Sequence, residues 1–147
     1  MLIKIKKGLD LPIAGNPKNE VDLSTSINTI ALLGPDYIGL KPTMLVKEGD
    51  TVLSGQKLFE DKKNLGVFIT APSSGIIKSI NRGEKRRFLS LIIELDNGLD
   101  SITFDSKNFS KNIDLLLESG TFSYFRTRPY NRIPEPSSIP AAIFVNA

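Results

Sequence analysis

Cysteine, histidine and tryptophan are absent from the 147 residues, and the first two absences exclude whole classes of chemistry. Iron–sulfur clusters need thiolates, and the usual zinc and haem sites need Cys or His. Cysteine or serine nucleophiles worked by a histidine base are excluded with them. Carboxylates are left as hard-metal ligands or general bases, so chemistry is narrowed rather than forbidden. The lack of cysteine agrees with a reducing compartment without establishing one. Long hydrophobic runs are missing too. No stretch approaches the ~20 apolar residues of a membrane-spanning helix. The basic start, Met1-Leu2-Ile3-Lys4-Ile5-Lys6-Lys7, is not followed by the apolar run of a secretory signal. No Gly-x-Gly-x-x-Gly and no Gly-rich phosphate loop occurs, so nucleotide binding has no support in these residues.

What is present is ordinary for a globular protein, with 40% apolar and 24% charged residues. The formal charge of +3 suits an anionic partner but is too small to indicate nucleic acid. The pattern along the chain is mainly β. Leu2-Ile3-Lys4-Ile5-Lys6 alternates apolar and basic residues, as a half-buried strand does. Residues 27–33 are a β-branched and leucine-rich run that stops at Gly34-Pro35. Further strand segments are expected at 44–46, 51–52, 57–60, 67–70, 76–80 and 88–95, the last being the longest. The turns between them are Lys47-Glu48-Gly49-Asp50, Ser54-Gly55-Gln56, Ala71-Pro72-Ser73-Ser74-Gly75 and Asn81-Arg82-Gly83. Short strands so evenly closed by Gly or Pro predict a small sandwich or barrel.

After Asp96-Asn97-Gly98 the texture changes. Residues 110–120 predict one helix, with Ser110 capping its start, Ile113, Leu116 and Leu117 on one face, and Gly120 closing it. Four prolines from Pro129 to Pro140 predict an extended segment. The apolar residues 141–147 predict a buried strand that begins a following domain cut short, a strand at a sheet edge being the alternative. The expected division is an N-terminal strand with turns at 1–30, a β-sandwich at 31–100, and helix, linker and first strand at 101–147.

Within the middle, Gly49-Asp50-Thr51-Val52, Ser54-Gly55-Gln56-Lys57-Leu58-Phe59-Glu60 and Ala71-Pro72-Ser73-Ser74-Gly75-Ile76-Ile77 resemble the biotinyl/lipoyl-carrier fold. That fold is a flattened sandwich whose turns hold Gly-Asp and Gly-Gln, where glycine takes positive φ. Carrier activity is a separate matter. It needs a lysine at the hairpin tip, and counting from Gly49 or back from Ala71 puts the tip at Leu65 or Asn64. Neither is lysine, no flanking Met occurs, and Lys62 and Lys63 read as solvated residues of an exposed turn. A carrier modified on one of them is the alternative function. Arg82-Gly83-Glu84-Lys85-Arg86-Arg87 reads first as a solvated turn, with an anion site as the alternative. Arg126, Arg128 and Arg132 alternate with Tyr124, Phe125 and Tyr130, which suits an interface or ligand role as well as it suits a solvated charged surface. Ser119-Gly120-Thr121 lacks the Ala of a covalent-flavin Ser-Gly-Ala-Thr setting, and no flavin attachment is expected there.

Several strings carry a resemblance beyond fold. Lys6-Lys7-Gly8-Leu9-Asp10-Leu11-Pro12-Ile13-Ala14-Gly15, Ala31-Leu32-Leu33-Gly34, Pro42-Thr43-Met44, Leu58-Phe59-Glu60-Asp61-Lys62-Lys63-Asn64, Ile80-Asn81-Arg82-Gly83, Glu118-Ser119-Gly120, Arg126-Thr127-Arg128-Pro129 and Pro140-Ala141-Ala142-Ile143-Phe144-Val145 run in order along the chain. Together they resemble the A subunits of sodium-translocating NADH:quinone reductases. The resemblance implies a barrel-sandwich hybrid, mainly β within an α+β chain, then a helix and the start of a Rossmann-like domain. It implies a peripheral subunit on the cytoplasmic face of the bacterial inner membrane, touching the membrane only through partner subunits. It implies a six-subunit complex that carries electrons from NADH to ubiquinone and exports sodium. No cofactor is expected in this chain; NADH, FAD, FMN, iron–sulfur and ubiquinone belong to the complex. No catalytic or metal-binding residue and no nucleic-acid partner is expected, and the chain alone is expected to be inactive. For quinone or subunit contact the candidates are Leu33, Gly34, Tyr37, Gly39 and Leu40 in the loop 33–40, and Arg128, Pro129 and Tyr130 at the corner. Both offer apolar or aromatic surface beside a polar group. The contact between proteins is the preferred role, since Tyr and Arg are common anchors there.

Overall fold

A computed structural model describes residues 12–22, 24–96, 98 and 100–145. The alternating segment Leu2-Ile3-Lys4-Ile5-Lys6 lies outside the described residues. Among the described residues there are seven strands: β1 (Thr29–Leu33), β2 (Pro42–Met44), β3 (Thr51–Val52), β4 (Lys57–Asp61), β5 (Phe68–Thr70), β6 (Gly75–Arg82) and β7 (Phe88–Leu95). They form two antiparallel sheets, one ordered β1-β7-β6-β3 and the other β2-β4-β5. β6 and β7 are equally long at 8 residues, so β7 is not the longest alone. β2 ends at Met44 rather than Val46.

The two glycine turns are built alike, which explains the motif. The Gly49 N–H donates to the Ile77 carbonyl while the Ile77 N–H donates to the Asp50 carbonyl, at 2.8 and 2.9 Å. Six residues on, the Gly55 N–H donates to the Ala71 carbonyl and the Ala71 N–H to the Gln56 carbonyl, both at 2.8 Å. The side chains of Asp50 and Gln56 close their own turns by accepting from the Lys47 and Leu53 N–H groups. Each turn thereby satisfies its backbone polar groups within the sandwich.

Leu32, Val52, Leu58, Phe59, Ile69, Ala71, Ile77, Phe88, Leu91 and Ile93 make one core between the sheets. Leu58 and Phe59 are both fully buried although adjacent. A bulge between Lys57 and Phe59 breaks the alternation of β4 and allows it. Burying each such side chain stabilises the fold by about 1.5–3 kcal/mol. Where β6 begins, buried Ser74 donates to Asp96 at 2.8 Å and to the Gly98 carbonyl at 3.1 Å. The Gly98 N–H, first, and Ser74 hold the Asp96 carboxyl below its usual pKa.

The helix α1 (Asn112–Glu118) starts later than expected. Its N-cap is Lys111, and no side chain caps it, so Ser110 does not take that role. Ser110 lies one residue before the extended Lys111, out of reach of the first free N–H groups. The close is as expected, with Gly120 in the left-handed region at φ 75. A Cβ there would also overlap the Thr70 side chain. Ile113, Leu116 and Leu117 pack on a second cluster made by Val67, Phe122 and Ile133. Lys57 on β4 ties α1 down, reaching Glu118 at 2.8 Å with its Nζ 4.1 Å from the Phe68 ring centre.

The last third departs from the expected extended segment at residues 127–132, where the Thr127 N–H donates to the Arg132 carbonyl and the Asn131 N–H to the Thr127 carbonyl, both at 2.8 Å. A closed loop results, with Asn131 at φ 51 and a cis Arg128–Pro129 bond. Residues 141–145 form no strand and are exposed, Phe144 at 74% and Val145 at 83%. A strand needs a neighbouring ladder, and the described residues offer them none. No helix among the described residues is long and apolar enough to cross a membrane.

Candidate functional site

The loop after β1 is shaped by three residues. Leu33 is extended, Pro35 starts a 3-10 turn at Gly34–Asp36, and Gly39 reverses the chain at φ 80. The Tyr37 N–H donates to the Gly34 carbonyl at 3.2 Å and the Leu40 N–H to the Tyr37 carbonyl at 3.1 Å. Gly34 is required for a different reason, close approach: a Cβ there would lie 3.0 Å from the carbonyl carbon of Phe88 and overlap its oxygen. The loop is therefore clamped to the first residue of β7.

Tyr37 and Leu40 lie in both clusters, packed against the sandwich core and against the Val67, Phe122 and Ile133 group. The Tyr37 ring meets Phe59 edge-on, centres 6.0 Å apart and planes at 89°. Beside it is a recess of about 140 Å³ whose walls include Asp36, Thr70, Ser123 and Tyr124. Burial raises the Tyr37 phenol above the ordinary tyrosine pKa, with Tyr124 and Asp36 adding and Arg126 opposing. The neutral phenol therefore contributes stability that is complete below the unfolded-state pKa and is lost as pH rises through the higher folded value. Alkaline titration followed by tyrosinate absorbance is expected to show a phenol that ionises above the ordinary tyrosine range. Tyr37→Phe should remove that late phase, and an unchanged profile would refute the assignment.

On the other side of the loop an open cleft of about 660 Å³ runs toward the β6–β7 turn. Pro35, Ile38, Leu40, Pro42 and Phe88 give it an apolar lining. Lys41 on one wall and Arg82, Lys85, Arg86 and Arg87 on the other give it a cationic rim. The turn itself is exposed, as expected of a solvated charge run, but it walls a cleft as well. The pairing of Leu33 with Ser90 brings the end of β1 beside the start of β7, and thus the two loops together.

Of the candidate residues, Leu33 is 45% exposed at the end of β1, Gly34 and Tyr37 are clamped as described, and Leu40 is half-buried. Arg128, Pro129 and Tyr130 are exposed. The two segments approach through their neighbours: a Cβ on Gly39 would be 3.8 Å from Arg132 Nε, and Tyr37 and Leu40 pack against the cluster to which Ile133 belongs. Arg132 lies over the Tyr130 ring at 5.9 Å and Arg128 over Phe144 at 5.3 Å. Arg126 donates to the carbonyls of Ser123 and Phe125. The sequence reading overlooked that Arg82, Lys85, Arg86 and Arg87 face the candidate loop; the glycine at 34 was the available signal. At the β4–β5 tip Lys62 and Lys63 are exposed. The tip is not free, however. Asn64 donates to the Ile133 carbonyl at 3.4 Å, and Asp61 is buried, accepting from the Lys41 and Lys63 N–H groups. A swinging lysine arm needs a tip clear of other structure, so this packing disfavours the carrier alternative.

Residues 3–96 match the family model of the NqrA N-terminal barrel-sandwich hybrid domain, and residues 109–147 match that of the NqrA second alpha/beta domain. The chain is 47% identical over 154 aligned positions to the A subunit of the Na(+)-translocating NADH-quinone reductase of Glaesserella parasuis, covering 99% of this chain and 34% of the relative. Proteins of the same description from Marinomonas sp. and Yersinia pseudotuberculosis are each 49% identical at the same coverage. The chain spans about a third of the length of the curated relatives it matches.

Proposed function

The chain belongs to the NqrA N-terminal barrel-sandwich hybrid family, and from that premise we propose that it acts as part of the A subunit of a sodium-translocating NADH:quinone reductase. In this role it holds no redox cofactor and works by shape and docking, peripheral to the membrane on the cytoplasmic face. NADH, the flavins, the iron–sulfur centre and ubiquinone belong to the other parts of a six-subunit complex that moves electrons to ubiquinone and sodium outward. The observation that carries the reading is the extent of the match: 99% of the chain aligns at 47% identity with a protein bearing that subunit's name. The exposed groups Tyr130 and Arg128, with the exposed aliphatic Ile38, support docking, since Tyr and Arg are the usual interface anchors. Quinone contact at Tyr37 is the weaker reading. The recess on one side of it, about 140 Å³, is below the roughly 300 Å³ at which small-molecule sites begin; the cleft on its other side, about 660 Å³ and also lined by Tyr37, is large enough, but its rim of five cations suits a charged occupant better than a neutral quinone.

An affinity-tagged copy expressed in its native host should co-purify from solubilised membranes with a multi-subunit complex whose NADH oxidation is stimulated by sodium. The chain by itself should oxidise no NADH with quinone present. Recovery of the tagged protein without partners, or turnover by the isolated chain, would overturn the proposal.

A further inference from the structure

We infer that the cleft between residues 34–42 and 82–88 is a docking groove for an acidic peptide segment of a partner protein, one that carries an apolar side chain among its carboxylates. Five cations and no acidic residue line the cleft, a surplus larger than the +3 of the whole chain. None of the five forms an ion pair among the described residues, whose salt bridges are Lys18–Glu20, Lys57–Glu118 and Lys78–Glu94. Lys85 and Arg86 stand in the left-handed region at φ 52 and 61, as a two-residue hairpin turn demands, the Arg87 N–H closing it on the Glu84 carbonyl at 3.1 Å. Neither side chain makes a hydrogen bond among the described residues. The lining between the cations is apolar, with Ile38 49% exposed. The groove thus lacks both halves of its complement, negative charge and an apolar plug.

The form of the groove selects the occupant. A small anion could be gripped by a few guanidinium groups, but it would leave the cations of the opposite wall and the apolar lining unmatched. Single-stranded nucleic acid needs exposed rings to stack its bases, and the aromatic residues at the cleft, Phe88 and Tyr37, are buried and half-buried. A flat anionic bilayer reaches cations on a convex face, whereas these rim a concavity with apolar walls. An extended chain can place carboxylates on both rims and a side chain between them.

The inference relies on the proposed subunit role only for the source of the segment. Its test is zero-length carbodiimide coupling, which joins a lysine amine directly to a carboxylate, applied to the assembly that co-purifies with the tagged protein. Mass mapping is expected to find Lys41 and Lys85 joined to Asp or Glu of one acidic segment in another polypeptide. The double variant Arg86→Glu, Arg87→Glu should keep the parent far-ultraviolet circular dichroism, lose those cross-links and hold the assembly about tenfold more weakly at low salt, the gap closing as salt rises. The cross-links in the unaltered protein stand independently of how the variant folds. Co-purification with Lys41 and Lys85 joined only to this chain's own carboxylates would sink the groove and leave the subunit role intact. So would sedimentation with phosphatidylcholine–phosphatidylglycerol vesicles, abolished by the double variant, with no cross-link to another protein. Absence of any co-purifying assembly would remove the subunit role and the groove together.

Discussion

Phe59→Ala is expected to lower the unfolding free energy by about 3–5 kcal/mol, the largest loss of any substitution considered for this chain. Phe59 is fully buried on β4, where its ring touches Phe88 with centres 5.2 Å apart and Tyr37 with centres 6.0 Å apart. One side chain therefore joins the two sheets and supports the underside of the 33–40 loop. Truncation removes the transfer free energy of the ring and leaves a cavity that the β-ladders on either side cannot close. Against a typical stability of about 5–15 kcal/mol, such a loss leaves the variant marginal. Urea unfolding followed by far-ultraviolet circular dichroism gives the number. Leu65→Ala, at a position 74% exposed on the β4–β5 tip, is the control and should change stability by no more than about 0.5 kcal/mol. Equal losses in the two variants would show that the core is not where the packing places it.

Gly34→Ala should cost about 2–3 kcal/mol, although it adds a single methyl group at a half-buried position. The added carbon would overlap the Phe88 carbonyl oxygen, and both partners are backbone, so neither can turn aside as a side chain would. The strain is relieved only by lifting the loop from β7, which spreads the walls of the cationic cleft. Gly39→Ala is the informative contrast. There the space is open, with Arg132 Nε 3.8 Å away, and the φ of 80 is the only obstacle. The expected cost is the left-handed penalty of about 1–2 kcal/mol. Denaturant midpoints separate the two mechanisms, because a steric clamp predicts Gly34→Ala as the worse variant. The reverse order would mean that the loop rests lightly on β7. The cross-linking pattern of Lys41 and Lys85 should also change in Gly34→Ala and persist in Gly39→Ala.

Much of the sandwich was legible because its information is local. Gly49 and Gly55 announce turns, Asp50 and Gln56 close them, and the apolar residues between must face inward; a window of ten residues is enough to see it. Gly120 was readable as a helix terminator for the same reason. The helix start was not. The rule that a serine caps the following turn fails when the next residue remains extended, as Lys111 does, and that depends on how α1 is seated by Lys57 and the Val67 cluster. Residues 141–145 show the other limit. Their apolar composition signals a need for burial without naming a neighbour, and the described part of the chain supplies none.

The amino-acid order by itself determined the excluded chemistries, the rhythm of short strands and the family, because residue type, turn preference and a series of strings in order are all read along one dimension. Only the tertiary structure decided that the loop at 34–42 and the basic turn at 82–87 are two walls of one cleft. The β1–β7 ladder pairs Leu33 with Ser90, and a run of arginines reads the same in sequence whether it faces open water or a groove. Charge is a property of residues, but the field it makes is a property of where the chain folds back on itself.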